Sequence, residues 1–548
     1  MYDWANSAYA TSGIAAIFPV YFILSFRNSF GDNVLFMGTN FTGSSVWSFG
    51  IISSTLIVAI ASPVLGVLTD RRRMKKVLLL FFTLAGSLFT TLAFFSSYVS
   101  HAWAWLLICF IVGNIGFAGA LVFYNSLLPH ISPRQFLDNV SSRGFAYGYL
   151  GGGVLLLVHL LIIMQASDSA KEDLVTRLCI ASIGIWWFGW SIWTLKVVPE
   201  PDISIDQQGL ALPKLIKISF VELINSINNI AKFPVVILYL LAYLLFNDGI
   251  QTVMGIAGAF AAETLGVPLV FNMATILIIQ FVAAPGTMVF NWASNLTSTK
   301  RALIISLIGW SVIVLFGIST APLVPSKYTQ FDYGLTYNNH YQKYELTQAP
   351  TLNNNQIDND WKTSIRPLMG DKYLTTSESH KLLNEVDKSA LSRFSIVFQG
   401  GPLDSLTSIN VNHTAILDNN IINKWPSFVR TNIWSPLNLE AGYQWLILGV
   451  LVGTVMGGSQ ALARSLFAQI TPLSRSGEFF SFFGFMSRAS SVIGPTMYIL
   501  FTSMFDQRIA VSSLLLIIIA GTILLKWVDV SKGSEAAKSE DSLLVIKQ

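Results

Sequence analysis

Runs of about twenty apolar residues, the length of helix that crosses a bilayer core about 30 Å thick, recur through this chain. They fall near 3-25, 46-68, 77-98, 103-124, 144-164, 178-197, 234-260, 269-290, 302-320, 443-469, 479-503 and 509-528. In lipid a backbone must satisfy its own polar groups, so runs of this kind commit the chain to helices. The expected fold class is an all-α polytopic membrane protein with twelve transmembrane helices. Composition agrees: 53% of residues are hydrophobic, 12% are charged, and mean hydropathy is +0.56, which excludes a string of soluble domains. The first run, Trp4 to Leu24, is too long for a signal-peptide core and lacks a basic flank, so it reads as the first span.

Cations choose the orientation. With the N-terminus inside, the inner short loops carry Arg71, Arg72, Arg73, Lys75, Lys76, Arg134, Arg143, Lys214, Lys217, Lys232, Lys300, Arg301 and Arg475. The outer short loops hold Arg27 and Lys171, with Arg177 and Arg508 at helix ends. That asymmetry places both termini in the cytoplasm by the positive-inside rule. The net charge of +4 is small, and its location makes the basic pI a matter of topology, with no nucleic-acid partner implied. Cys109 and Cys179 lie inside apolar runs and form neither a disulfide framework nor a metal motif.

Two segments interrupt the pattern. Pro199 to Phe233 is a polar inner linker containing an amphipathic stretch, KLIKISFVELINSI, suited to a membrane surface. Pro322 to Glu440 is an outer insertion rich in Asn, Ser and aromatics, whose apolar bursts, such as FSIVF at 394-398, suggest a small folded domain; composition alone also allows partial disorder. The expected organisation is 1-197 for the first six helices, 198-233 for the linker and 234-320 for the next three. The insertion follows at 321-441, the last three helices at 442-530 and a cytoplasmic tail at 531-548.

The halves repeat. SLLPHISP, Ser126 to Pro133, closes span four; SLFAQITP, Ser465 to Pro472, closes span ten. Asn6 of WANSAY in span one matches Asn247 of LFNDGI in span seven, and the charged knot GVLTDRRRMKK after span two has a worn counterpart, FNWASNLTSTKRAL, after span eight. Six helices plus six in parallel repeat is a secondary-transporter architecture with its site near the midplane.

Gly66-Val67-Leu68-Thr69-Asp70-Arg71 resembles the major facilitator loop signature G-x-L-x-D-R-x-G-R-[RK], departing from it where Arg73 replaces the later Gly and Met74 the following Arg. YDWANSAYAT (2-11), YNSLLP (124-129), SRGFAYGYLGGG (142-153), FNDGIQT (246-252), QFVAAPG (280-286) and GGSQALARSLFAQITP (457-472) closely resemble the vacuole-effluxer-like family. That family includes fungal autophagy-related vacuolar amino-acid exporters and bacterial relatives. The resemblance covers nearly all the membrane region and stops at the insertion, where the family has a short outer loop. It implies the major facilitator fold, a bacterial-type member in the cytoplasmic (inner) membrane, transport of amino acids, and a conformational latch of Gly66, Asp70 and Arg71.

Physical chemistry singles out further residues. Asp70, at the end of span two, can sit at the positive end of a neighbouring helix and pair with Arg71. Asp248, about 14 residues and roughly 21 Å into span seven, and Arg488, roughly 15 Å into span eleven, are ionisable groups in an apolar medium and need partners or a function. They are either a structural ion pair or the holders of a zwitterion's two ends, with Asp248 alternatively carrying a coupling proton. Asn6, Asn247 and Gln251 are amides placed as interhelical glue or as solute contacts. Gly453, Gly457, Gln460 and Arg464 share a face of span ten; the glycines suit close packing and Gln460 a cavity wall. The chain contains no GxxxxGK[ST], HExxH or GxSxG motif, so neither ATP coupling nor an enzymatic reaction is indicated and no metal or cofactor is expected.

The reading that follows is a secondary active transporter of small polar solutes, amino acids foremost, working by alternating access with protons as possible partners and lipid as solvent. The alternative is a membrane receptor or assembly protein that binds another protein through its outer domain.

Overall fold

The computed structural model describes residues 1–30, 33–36, 39–165, 169–202, 232–267, 269–350, 352, 356–368, 372–417, 421–490, 492–505 and 507–546. The amphipathic stretch 214–227 lies outside the described residues. The chain divides into two compact units, one of Met1–Ile256, Met273–Leu315 and Ile447–Gln548, the other of Ala257–Asn272 and Phe316–Leu446.

In the first half the helices are α1 (Tyr2–Phe30), α2 (Gly43–Arg71), α3 (Lys75–Tyr98), α4 (Ala102–Ile131), α5 (Arg134–Met164) and α6 (Ser169–Val197). The second half opens with α7 (Pro234–Glu263), α8 (Leu269–Leu296) and α9 (Thr299–Ser319). After the insertion, which holds α10 (Gln356–Ile365), α11 (Thr376–Lys388) and α12 (Lys424–Val429), come α13 (Ala441–Gln469), α14 (Ser476–Ala489), α15 (Ile493–Met504), α16 (Gln507–Trp527) and α17 (Val530–Ile546). Among the described residues ten helices are long and apolar enough to cross a membrane. α2 fills the place of the second expected span with 29 residues.

Three features were not expected. The eleventh span, foreseen as one run over 479-503, is two helices, α14 and α15, with α14 closing at Ser490. Pro495 explains the break: in a helix interior it would clash with the carbonyl four residues earlier, whereas in the first turn of α15 it removes no helix bond. The tail at 531-548 is largely a helix, α17. Between α1 and α2 a hairpin forms from β1 (Asn33–Phe36) and β2 (Thr39–Thr42).

Packing in the first half depends on small residues. A β-carbon on Gly116 of α4 would fall 2.6 Å from the amide nitrogen of Gly86 on α3, and one on Gly86 would fall 2.5 Å from the ring of the fully buried Trp187 of α6. With no hydrophobic drive between helices in lipid, such close approach supplies the dispersion contact. Gly453 and Gly457 play the same part in the second half: β-carbons there would fall 3.1 Å from the Ile279 carbonyl and 2.6 Å from that of Ala283, so α13 rides directly on α8.

The second unit contains a five-stranded sheet of order β5-β4-β3-β6-β7, from β3 (Tyr333–Asn338), β4 (Lys343–Gln348), β5 (Tyr373–Leu374), β6 (Ser395–Gln399) and β7 (Thr407–Ile409). The FSIVF burst supplies β6, which pairs parallel with β3. Its first four residues, Ser395 to Phe398, are all buried, as suits a central strand covered on both faces. Trp361 of α10, Tyr333, Leu335, Tyr344, Ile396, Phe398 and Leu382 form its core, and the Trp361 indole donates to the Tyr333 hydroxyl at 2.9 Å. Thr375 and Glu378 close a reciprocal capping box at the start of α11. The Asp332 carboxylate accepts from the Ser395 amide and hydroxyl, each at 2.8 Å, and lies 3.3 Å from His413 Nε2.

Candidate functional site: the polar seam between the halves

Where α2 ends, the charged knot meets the second half. The first amides of a helix have no partners within it and carry its positive dipole. Asp70 Oδ1 accepts from the Gly477 amide at 2.9 Å and Oδ2 from the Glu478 amide at 2.8 Å, so one carboxylate closes the start of α14. Lys75 Nζ lies 3.0 Å from Asp70 Oδ1, both side chains being buried, and also donates to Ser476 Oγ at 2.7 Å. Lys75 thus supplies a buried cation to Asp70; the side chain of Arg71, the expected partner, lies outside the described residues. Lys75 is in reach because Glu200 accepts from the Lys75 and Lys76 amides, at 2.8 and 2.9 Å, and so closes the start of α3. Gly66 makes the approach possible: a β-carbon there would stand 2.5 Å from the Gly477 carbonyl.

A second buried pair joins the halves. Arg464 of α13 is 4% exposed and Asp3 of α1 is 5% exposed, and Arg464 Nη2 lies 3.5 Å from Asp3 Oδ2 across the two halves. Arg464 Nε donates to Ser141 Oγ and Nη2 to the Ser141 carbonyl, both at 2.9 Å, while Nη1 reaches Asn125 Oδ1 at 3.3 Å. The Tyr124 hydroxyl donates to Asp3 Oδ2 at 2.6 Å, and the guanidinium lies 4.4 Å from the centre of the Phe145 ring. Burying two charges requires this degree of satisfaction. Arg464 stands on the polar face of span ten, whereas Asp3 lies within YDWANSAY with no marked pattern around it. An acid placed inside an apolar run was the available signal.

A third carboxylate, Asp138 of α5, accepts from Thr299 Oγ1 at 2.7 Å, from Gln469 Nε2 at 3.1 Å and from the Ser465 hydroxyl. Arg134 donates to the carbonyl of Gln469 at 3.1 Å and to that of Ser534 on α17 at 3.0 Å. α17 is tied back by Asp541, which accepts from the Leu473 and Ser474 amides, each at 3.0 Å.

The remaining expected site residues sit nearer the middle of the spans. Gln460 accepts from the Tyr149 hydroxyl at 2.6 Å, again across the halves. Arg488 donates to the carbonyls of Gly484 at 2.9 Å and Ala118 of α4 at 2.7 Å. Asp248 is fully buried, with Oδ2 accepting from the Gly494 amide at 2.9 Å and Oδ1 bare of hydrogen bonds, as is the neighbouring Thr252 hydroxyl. The carboxylate thus sits at the positive end of α15, which exists because span eleven breaks. Asn247 donates to Ser490 Oγ at 2.5 Å on the other side of that break. Among the described residues no ion pair joins Asp248 to Arg488, so the structural pairing of the two is not formed here. Asn6 is buried and Gln251 exposed.

Chemically the seam is a row of hydrogen bonds and ion pairs between two bodies, running from mid-span to the ends of α2, α4, α13 and α14. Its groups hold and orient charge, and the bonds that cross from one half to the other, those of Asp70, Asp3 with Arg464, Asp138, Gln460 and Arg488 with Ala118, break if the halves part. Among the described residues no cluster of His, Cys, Asp or Glu could hold a metal ion.

A family profile described as vacuole effluxer Atg22 like matches residues 1–324 and 408–538. The uncharacterized MFS-type transporter YxiO of Bacillus subtilis (strain 168) is 21% identical over 547 residues, covering 99% of this chain and 96% of its own length. Autophagy-related protein 22 of Kluyveromyces lactis is 22% identical over 520 residues, covering 92% and 82%. Among solved structures, the proton:xylose symporter XylE bound to 6-bromo-6-deoxy-D-glucose superposes with a TM-score of 0.58 at 12% identity, covering 96% of this chain and 94% of that one. The major facilitator FucP in the outward conformation gives 0.54 at 12% identity, covering 96% and 98%. Both show the major facilitator fold.

Proposed function

We propose, from the premise that this chain belongs to the vacuole effluxer Atg22-like family and is a transporter of the major facilitator fold, that it is a secondary carrier of small polar solutes, amino acids foremost, working by alternating access. The observation that carries the reading is the buried Asp3–Arg464 pair between the halves. A cation held by one half and an anion by the other, both out of water, fit two bodies that must separate and rejoin, since such a pair is stable only while closed.

In this reading Gly66, Asp70 and the knot around Arg71, with Lys75 as the buried cation, latch the halves at one end. Arg488 receives the solute carboxylate. Asp248 takes the ammonium or a coupling proton, and Asn6, Asn247, Gln251 and Gln460 offer amide contacts. The charged loops face the cytoplasm, both termini are inside, and the membrane is the bacterial cytoplasmic one; the organisation 1-197, 234-320 and 442-530, interrupted by 321-441, follows from that. Support for the amino-acid class comes from the effluxer family and from a cation and an anion near mid-span.

Counterflow in vesicles tests it: purified protein loaded with unlabelled amino acids should accelerate entry of the same labelled amino acid, and a panel without any accelerated member refutes the amino-acid assignment. A receptor or assembly role for the insertion is favoured by one observation, its own hydrophobic core. Deletion of 323-439 that spares counterflow but abolishes a partner's capture would support that second role.

A further inference from the structure

Within the second unit, the stretch from Ile421 to Leu437 has two unlike faces. One face is packed: Pro426, Val429 and Trp434 are buried, the Trp434 indole donates to the Ser319 carbonyl at 3.2 Å, and Arg430 donates to the Ala415 carbonyl at 2.6 Å and the Pro322 carbonyl at 3.4 Å. The other face presents Ile421 at 84% exposure, Trp425 at 39%, Phe428 at 58%, Ile433 at 36% and Leu437 at 61%. Trp425 and Phe428 stand one turn apart on α12, and Ile421 lies in the turn that precedes it. The run Arg430–Trp434 is then a π-helix, whose five-residue turn carries the same face on to Ile433 and Leu437. The stripe is therefore continuous.

Its position says what covers it. Ser319, which receives the Trp434 indole, is the last residue of α9, a membrane-length helix. Leu437 stands four positions before Ala441, where the membrane-length α13 begins. The stripe is thus held close to the ends of two membrane-length helices, by the Trp434–Ser319 bond and by the short run to Ala441, and the exposed Lys424 stands beside it. Aromatic and aliphatic side chains along one face with Lys or Arg at the border are what the headgroup–acyl boundary accepts.

We propose that residues 421–437 form an interfacial element that lies in the bilayer surface on the insertion's side, its apolar stripe inserted among lipid acyl chains. A lipid surface is the occupant, and a second copy or a soluble partner protein are the competing occupants.

The full chain in nanodiscs of phosphatidylethanolamine and phosphatidylglycerol, carrying a nitroxide at Phe428→Cys or Leu437→Cys, tests this by power saturation. Lys381→Cys on the insertion serves as the reference, and unmodified protein controls for Cys109 and Cys179, which are buried. Collisions with oxygen should exceed those with a water-soluble nickel chelate at 428 and 437, by about the ratio found for a lipid-facing site such as Val289→Cys, and the order should reverse at 381. Nickel accessibility at 428 and 437 equal to that at 381 overturns the proposal. So does strong spin–spin broadening at 428 that disappears on dilution with unlabelled protein, which would assign the stripe to a second copy. The double variant Phe428→Ser/Leu437→Ser, with the label at Ile433→Cys, should raise nickel accessibility there at least several-fold; no change would also refute lipid contact.

Discussion

Gly66 and Gly477, on α2 and α14, face each other so closely that a β-carbon on Gly66 would lie 2.5 Å from the Gly477 carbonyl, and one on Gly477 would lie 2.6 Å from the Gly66 carbonyl. Backbone meets backbone here, with Ser481, Thr69 and Asp70 crowded in beside it, so the two helices have little room to adjust. Gly66→Val should cost the closed arrangement about 1–3 kcal/mol, a shift of roughly fivefold or more between states. Alkylation of a cysteine at the buried Val67 should speed up by that factor while the protein stays monodisperse. An unchanged rate would show that the two helices do not part there.

Asp70 accepts two amides and faces Lys75. Asp70→Asn removes the charge and keeps one acceptor oxygen, so the fold should survive while the closed state loses about 1–3 kcal/mol. Counterflow from the two sides of the membrane should then become unequal by roughly fivefold or more relative to wild type. Equal flux ratios in the variant and wild type would remove the latch role.

The Asp3–Arg464 pair makes a coupling prediction. Asp3→Asn and Arg464→Met should each cost about 3–5 kcal/mol by stranding a buried charge, whereas the double variant should cost clearly less than the sum. A coupling above about 1 kcal/mol in a thermal-unfolding cycle is expected for groups in contact, and additive effects would contradict it.

Asp248→Asn keeps an oxygen for the Gly494 amide and loses the ionisable group. Stability should change by less than about 1 kcal/mol, since the helix cap remains. Solute exchange should persist while uptake driven by an imposed pH gradient falls to the background. Retained pH-driven uptake would assign coupling elsewhere.

In the insertion, burial pushes the Asp332 carboxyl upward, but hydrogen bonds from His413 and Ser395 outweigh it and hold the group below its ordinary range. A depressed carboxyl stabilises the fold at pH values above its unfolded pKa of about 3.9 and withdraws that support as pH falls through the lower folded value. Hydrogen exchange of β6 amides should therefore be constant from about pH 7 to 5, after correction for intrinsic rate, and lose protection below about pH 4. Asp332→Asn should abolish that acid-dependent step.

The helical class, the repeat and the places of the spans were legible because lipid forces every crossing segment into the same simple pattern. FSIVF, an apolar burst too short for a span, pointed to a folded insertion without declaring its secondary structure, and it supplies β6. What stayed hidden were relations between distant segments. Asp70 could be read as an anion seeking a helix start, but not that Lys75, presented by Glu200, would supply its cation. Asp3 and Arg464, 461 residues apart, share no local pattern. The broken eleventh span was legible in principle, since Pro495 has no amide to donate; Pro129 and Pro285 nonetheless sit inside continuous helices, so proline alone does not decide.

α17 touches both bodies, through Arg134 on one side and through the loop before α14 on the other. If the halves move as proposed above, anything attached beyond Gln548 hangs from a strap that must let go or slide with them. A fluorescent reporter fused there would brake the transport cycle and, read carefully, would also time it.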